Sequence, residues 1–492
     1  MYYISTRGGS EKKTSARVIK QGLAEDGGLF VPESIPTVSK DFIKKLAEED
    51  YAHRAADVLS LYLTDYTYDE LLSAATDAYK EESFGKYAAP VKSLDKTHKV
   101  LELWHGPTCA FKDMALQIMP RLLSTALKKT GEKRTALILV ATSGDTGKAA
   151  LEGYKDVDGV KIMVFYPEDG VSDIQKLQMA SQEGENVNVC AIKGNFDDAQ
   201  TGVKQIFSDT NIAKELDEKG YFLSSANSIN WGRLAPQIVY YFSAYCDLMN
   251  AGDITLGDEI DVCVPTGNFG NIFAAYLAKR MGLPVRRFIC ASNVNNVLTD
   301  FINTGVYDRN RQFHTTISPS MDILISSNLE RLLWLIQGEE KTAECMKLLK
   351  ETGKYEVSAE VREKIASEFI GCFASDDETK QTIAETFEKH SYLIDTHTAV
   401  ALFAAKKNAT DIPVVTASTA RPYKFAADVL SALTGNRDNG NDFFRILREL
   451  NAKTGAAVPR PLAALENKTR RFTTSVGKSK DEMFAEVAKF AD

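Results

Sequence analysis

The residue in this sequence best placed for covalent chemistry is a lysine. Lys112 lies in the run His105-Gly106-Pro107-Thr108-Cys109-Ala110-Phe111-Lys112-Asp113-Met114-Ala115-Leu116, between apolar neighbours and where a helical pattern begins. Burial and the positive end of a helix dipole both disfavour an ammonium. A lysine held that way titrates toward the neutral amine, which forms a Schiff base or acts as a base. The competing reading is a surface lysine whose stem packs on its neighbours. With 59 Lys and Arg in the chain, that reading wins for most single lysines.

Three loops add anion-binding chemistry. Pro265-Thr266-Gly267-Asn268-Phe269-Gly270-Asn271 follows a strand pattern and opens a helix at Ile272. Its glycines permit positive φ and close backbone approach, and the free amides of a helix start favour an anion. The loop therefore reads as a phosphate cradle or, taken alone, as a tight turn that needs glycine for geometry. Ala141-Thr142-Ser143-Gly144-Asp145-Thr146-Gly147-Lys148 also joins a strand to a helix. The hydroxyls of Thr142, Ser143 and Thr146 suit a carboxylate, and each is equally a helix cap. The loop is not a nucleotide P-loop, which needs Gly where Thr142 stands and Ser or Thr where Ala149 stands. Ala417-Ser418-Thr419-Ala420-Arg421-Pro422 closes another strand with small polar residues, as at the ligand crevice of an open sheet. Three such loops in one region point to a concerted anion site. No His, Cys or carboxylate cluster has metal-ligand spacing, so no catalytic metal is expected. His105 and His397 are placed at the cleft, the other histidines at structural positions.

The elements that must position these groups follow from composition and periodicity. The chain has 492 residues, 44% hydrophobic and 26% charged, with a formal net charge of −8. That length supports two or three domains, and the negative mean field argues against nucleic acid as a partner. No apolar run reaches the length of a membrane span; the longest candidate, 238–249, carries Ser243 and Asp247. No secretory leader is read at the N-terminus. The seven cysteines are scattered, with no CxxC pair. A reducing cytoplasm is therefore the expected location.

Residues 1–90 read as an N-terminal cap, with turns followed by helices over 40–82. Residues 91–430 alternate short Val/Ile/Leu runs with amphipathic segments, the pattern of an α/β region with a doubly covered parallel sheet. The runs are 100–103, 136–141, 161–166, 187–192, 261–264, 285–291 and 413–417. Helices are expected over 114–126, 172–181 and 272–281. A charged block over 329–390 reads as a helical insertion. Residues 431–492 form a polar C-terminal extension ending in a helix over 480–490.

Taken together, these motifs resemble the pyridoxal-phosphate enzymes of fold type II, and within them the threonine synthases of the longer fungal and bacterial type. The resemblance runs from Tyr3-Ile4-Ser5-Thr6-Arg7-Gly8 through His105-Gly106-Pro107-Thr108 with Phe111-Lys112-Asp113, and on through Thr142 to Gly147 and 171–175. It continues with Asn227-Ser228-Ile229-Asn230-Trp231, Gly267 to Asn271, Ser318-Pro319-Ser320-Met321-Asp322-Ile323 and Ser418 to Pro422. It implies a tryptophan-synthase-β-like fold: two open α/β lobes, an N-terminal cap and a helical insertion. It also implies that Lys112 carries pyridoxal 5'-phosphate as a Schiff base. Gly267, Asn268, Phe269, Gly270 and Asn271 would then line the cofactor phosphate. Thr419 would give its hydroxyl to the pyridine nitrogen, and Asp145 would lie near the cofactor's phenolic oxygen. Thr142, Ser143 and Thr146 would take the substrate carboxylate, and Asn227, Ser228 and Arg233 the substrate phosphate. Lys148, Arg421 and Thr396 depart from the family pattern.

The implied activity is a lyase-type conversion of O-phospho-L-homoserine and water to L-threonine and phosphate, the last step of threonine biosynthesis, in a monomer or homodimer. The nearest alternative is a serine/threonine dehydratase-like lyase of the same fold, which would not need Asn227, Ser228 and Arg233. The other alternative is a catalytically inactive relative that binds a metabolite or a protein.

Overall fold

The computed structural model describes residues 1–142, 144–168, 171, 173–436 and 442–492. Its strands are β1 (Tyr3–Ser5), β2 (Phe30–Pro32), β3 (Val91–Ser93), β4 (His98–Glu102), β5 (Thr135–Ala141), β6 (Val160–Pro167), β7 (Val187–Ile192), β8 (Tyr221–Ser224), β9 (Ile260–Pro265), β10 (Val285–Ser292), β11 (Val306–Asp308), β12 (Lys354–Glu356), β13 (Phe369–Phe373), β14 (Val414–Ser418) and β15 (Ser475–Val476). Two sheets organise the core. The larger runs β13-β10-β9-β14-β4-β3 and is parallel apart from the edge pair β3–β4. The smaller runs β15-β7-β6-β5-β8 and is parallel throughout. Every residue of β9 and β14 is buried. Helices cover both faces, which is why these segments read as continuous apolar runs.

The cap begins with the antiparallel pair β1–β2. Its helices Lys40–Ala47, Tyr51–Ser60 and Tyr68–Ala78 start at Ser39, Asp50 and Thr67, whose side chains accept from backbone N–H groups of the first turn. The first two pack on the helix Pro236–Asn250, almost all of which is buried. The apolar run over 238–249 is thus a core helix between cap and lobe. Arg54 crosses this joint, donating to Asp247 at 2.7 Å and to the Ser243 hydroxyl at 2.8 Å.

Two expectations need correction. The helix expected over 114–126 is two, Asp113–Leu116 and Met119–Lys129. Pro120 lacks an N–H and its ring would clash with the carbonyl four residues earlier, so the first helix must stop at Leu116. The block over 329–390 is not purely helical. It holds the helical segment Leu329–Thr352, kinked at Gly338 where φ is 81, and the helices Ala359–Glu368 and Asp376–His390, but also β12 and the sheet edge β13. Gly371 stands inside β13 because a Cβ there would lie 2.8 Å from the Thr299 backbone. A strand with that close approach loses its apolar signature.

The C-terminal extension reaches both lobes. Helix Phe443–Thr454 packs Ile446, Leu447 and Leu450 in a cluster with Val429 and Leu430. Farther on, β15 adds to β7, and helix Lys480–Ala491 inserts Met483 and Val487 into the cluster of Leu137, Leu139 and Phe165.

Candidate active site

The loop that delivers Lys112 is folded around Asp113. The Thr108 backbone N–H and hydroxyl donate to the Asp113 carboxylate at 2.8 and 2.7 Å. Gly106 lies so close that a Cβ there would meet the Asp113 Cβ at 2.5 Å. Burial pushes the Asp113 carboxyl up to about 6, against the pull of the Thr108 donors. Cys109 takes φ 61, a left-handed conformation that costs a residue with a side chain and is found at constrained functional loops. The chain then pairs briefly with the third loop: Phe111 N–H donates to Thr419 O at 2.8 Å and Arg421 N–H to Cys109 O at 3.0 Å. These backbone bonds hold the start of the Lys112 helix and the Thr419 turn side by side.

Lys112 stands at the start of the short helix Asp113–Leu116. Its Nζ is 3.7 Å from Asp145 Oδ2. Burial pulls the amine down to about 8; Asp145 opposes this, and the charges of Lys424 and Arg233 add to it. Asp145 opens the helix Asp145–Tyr154. Its other oxygen accepts from Lys424 Nζ at 2.6 Å and from Gln175 Nε2 at 3.1 Å. Burial would raise this carboxyl, but Lys424 and Lys112 hold it well below the usual carboxylate range.

The Gly267–Asn271 loop has the shape of an anion cradle. Its carbonyls are tied outward: Ser326 Oγ donates to Gly267 O at 2.7 Å, and Asn328 N and Nδ2 both donate to Asn268 O at 3.0 Å. Phe269 takes φ 61 immediately before the helix Gly270–Met281, whose first-turn amides the helix itself leaves free. A Cβ on Gly267 would meet Ser320 O at 2.8 Å. Asn271 accepts through Oδ1 from the Tyr241 hydroxyl, and its Nδ2 is buried without a partner. His397 steadies the facing segment, since its Nε2 accepts from Ser320 N–H at 3.1 Å while Nδ1 pairs with Asp395 at 2.9 Å.

Thr419 is buried beyond the end of β14. Beside it, the Ser418 hydroxyl accepts from Trp104 Nε1 at 2.8 Å and pairs with Thr398 Oγ1 at 2.9 Å. Arg233 is buried, donates to Ala226 O at 2.9 Å and has no ion-pair partner among the described residues. Burial lowers it to about 10. The Tyr154 hydroxyl, within electrostatic range of that guanidinium, is buried and also lacks a partner.

The remaining expected residues are distributed less evenly. Asn227 is exposed and Ser228 half-buried in the turn after β8, where Asn227 O accepts from Asn230 N–H at 3.1 Å. Thr146 is half-buried in the first turn of its helix. The Thr142 hydroxyl accepts from the Gly144 and Gly147 N–H groups, both at 3.0 Å, and so spends its lone pairs building the loop. Ser143 lies outside the described residues. Lys148 is turned away, pairing with Glu152 at 2.9 Å and donating to Gln182. Arg421 lies over the Trp104 ring at 4.6 Å.

Sequence reasoning missed Lys424. One more lysine in a Pro-Tyr-Lys-Phe turn carries no signal that separates it from the surface lysines. Asn328 and Tyr154 were missed for the same reason.

Residues 100–415 match the model of the pyridoxal-phosphate dependent enzymes, residues 2–79 that of the threonine synthase N terminus, and residues 398–484 that of the threonine synthase C-terminal region. The chain belongs to the threonine synthase family of pyridoxal-phosphate-dependent enzymes. Threonine synthase of Pseudomonas aeruginosa is 40% identical over 88% of this chain and 91% of its own length. Human threonine synthase-like 1 is 42% identical over 88% of this chain, which spans only 60% of that longer relative. The crystal structure of PLP-bound threonine synthase from Brucella melitensis superposes with a TM-score of 0.89 at 36% identity, covering 100% of this chain and 99% of that one.

The residues present fit the family's cofactor. A phosphate suits the unpartnered Asn271 Nδ2, the free amides of its helix and the close-packed Gly267 cradle. An aldehyde suits an amine held near neutrality.

Proposed function

We propose that the chain converts O-phospho-L-homoserine and water to L-threonine and phosphate. The observation that carries this reading is uncompensated positive charge. Lys112, Lys424 and Arg233 are buried beside Asp145, with the buried Asp113 carboxyl also in range of Lys424, and among the described residues Arg233 has no acid partner. A buried charge is costly unless something neutralises it, and two phosphates and a carboxylate would do so.

In this reading Lys112 holds the cofactor, Gly267 to Asn271 its phosphate, Thr419 its pyridine nitrogen and Asp145 the edge near its phenolic oxygen. Bound pyridoxal phosphate supplies an electron sink conjugated to the substrate α-carbon. The Lys112 amine, once free, takes the proton from Cα and moves protons at the neighbouring carbons. Arg233, with Asn227 and Ser228, binds the substrate phosphate bidentately and positions it as leaving group. Thr146 and the Thr142–Ser143 loop orient the carboxylate. Water is then added at Cβ. The seven cysteines, all free and buried, fit the reducing cytoplasm; no helix among the described residues is long and apolar enough to cross a membrane.

The test is turnover of O-phospho-L-homoserine against L-serine and L-threonine. Threonine and phosphate in equal amounts from the first substrate support the reading. Keto acid from serine with no use of phosphohomoserine assigns a dehydratase, and inertness toward all three assigns a binding protein.

A further inference from the structure

Lys424 has no role in the reaction just described, yet it is the most tightly held cation in the site. It lies in the turn Pro422–Phe425, which follows Thr419, and its side chain is 2% exposed. Its Nζ is 2.6 Å from Asp145 Oδ1 and donates to Thr108 O at 3.0 Å. The second oxygen of the same carboxylate faces Lys112 at 3.7 Å. One side chain therefore grips both the acid beside Lys112 and the loop that delivers Lys112. We propose that Lys424 is a positioning residue for Lys112: it fixes the Asp145 carboxylate between the two lysines and, with it, sets the balance between ammonium and free amine at Lys112.

Among the described residues three charged groups face Lys112, each from a different element: Asp145 from the helix Asp145–Tyr154, Lys424 from its turn, and Arg233 from the helix Trp231–Leu234. Asp145 is faced by Lys424, Lys112 and the Gln175 amide. The sign of each perturbation follows. Removing the Lys424 charge ends its repulsion of Lys112 and ends its competition for the carboxylate, so both effects favour the ammonium. Removing the Asp145 charge leaves Lys112 against two cations and favours the amine. A purely structural Lys424 would produce no such opposed pair.

The proposal deepens the reading of Lys112 as the reacting amine and rests on it for its catalytic meaning; the electrostatic coupling is measured without substrate. The experiment uses the full-length chain freed of cofactor. Modification of Lys112 by an amine-reactive ester is followed against pH by peptide mass spectrometry, with circular dichroism to confirm folding. Expected is an upward shift of the midpoint in K424M by about one pH unit, a tenfold loss of free amine at fixed pH. K424R should stay close to the parent and D145N should shift downward. If K424M does not fold, K424R and D145N carry the comparison. An unmoved midpoint in a folded K424M, or a D145N midpoint that does not fall, overturns the proposal. Phosphohomoserine turnover by the parent is scored separately: its absence removes the proposed reaction while the midpoints still decide the coupling.

Discussion

With its amine titrating at about 8, Lys112 stores a conditional cost. Its unfolded-state value is near 10.5, so the folded protein binds fewer protons between the two values. The group destabilises fully below the folded value, and the penalty is relieved as pH rises toward the unfolded one. Lys112→Met should therefore stabilise the cofactor-free protein by about 3 kcal/mol near neutrality, and by much less near pH ~10, as urea unfolding at the two pH values would measure. Arg233→Ala should raise KM for phosphohomoserine about a hundredfold, in line with the loss of a buried charged contact, while the bound-cofactor absorbance is unchanged; an unaltered KM removes Arg233 from the site. At this scale the sequence was legible where residue type and spacing restrict the chemistry. Lys112 stood out through its apolar flanks, and the 267–271 loop through its glycines. Lys424 and Asn328 did not, because their meaning lies in partners far along the chain.

Single elements were legible when buried on both faces. Strands β5, β6, β9 and β14 announce themselves as Val/Ile/Leu runs, whereas β13 lies at an edge and its apolar run is broken by a glycine that another backbone requires. The left-handed Phe269 and Cys109 were invisible, since only surrounding contacts hold a residue there. The start of helix Leu329–Thr352 is where one element organises another. Asn328 ties the cradle through Asn268 O and accepts from the buried Arg331, which also reaches Phe30 O of the cap and Ile229 O in the turn after β8. Asn328→Ala removes one of the two donors to the cradle carbonyl and leaves Arg331 short of an acceptor. It should cost about 1–3 kcal/mol of stability and weaken pyridoxal phosphate binding about tenfold. Equilibrium dialysis would show the change in affinity, and thermal unfolding the loss of stability.

Across the whole molecule, chain ends brace the lobes. At the N-terminus the Thr6 hydroxyl donates to buried Glu330 at 2.6 Å, and Arg7 pairs with it through Nε at 2.8 Å and Nη2 at 2.9 Å. At the C-terminus Met483 fills the space over Gly202, where a Cβ would meet its sulfur at 2.2 Å. Met483→Ala should cost about 2–5 kcal/mol, the range for emptying a core site, and denaturant unfolding followed by tryptophan fluorescence would detect it. A stability loss within error would mean that the last helix merely covers the small lobe. The tail's polar composition concealed this role, because its apolar residues come in short runs of two or three between charges. The proposed chemistry depends on one amine. Borohydride reduction of the cofactor-bound protein, followed by peptide mapping, should place the pyridoxyl group on Lys112; recovery on Lys424, on any other lysine, or on none would contradict it.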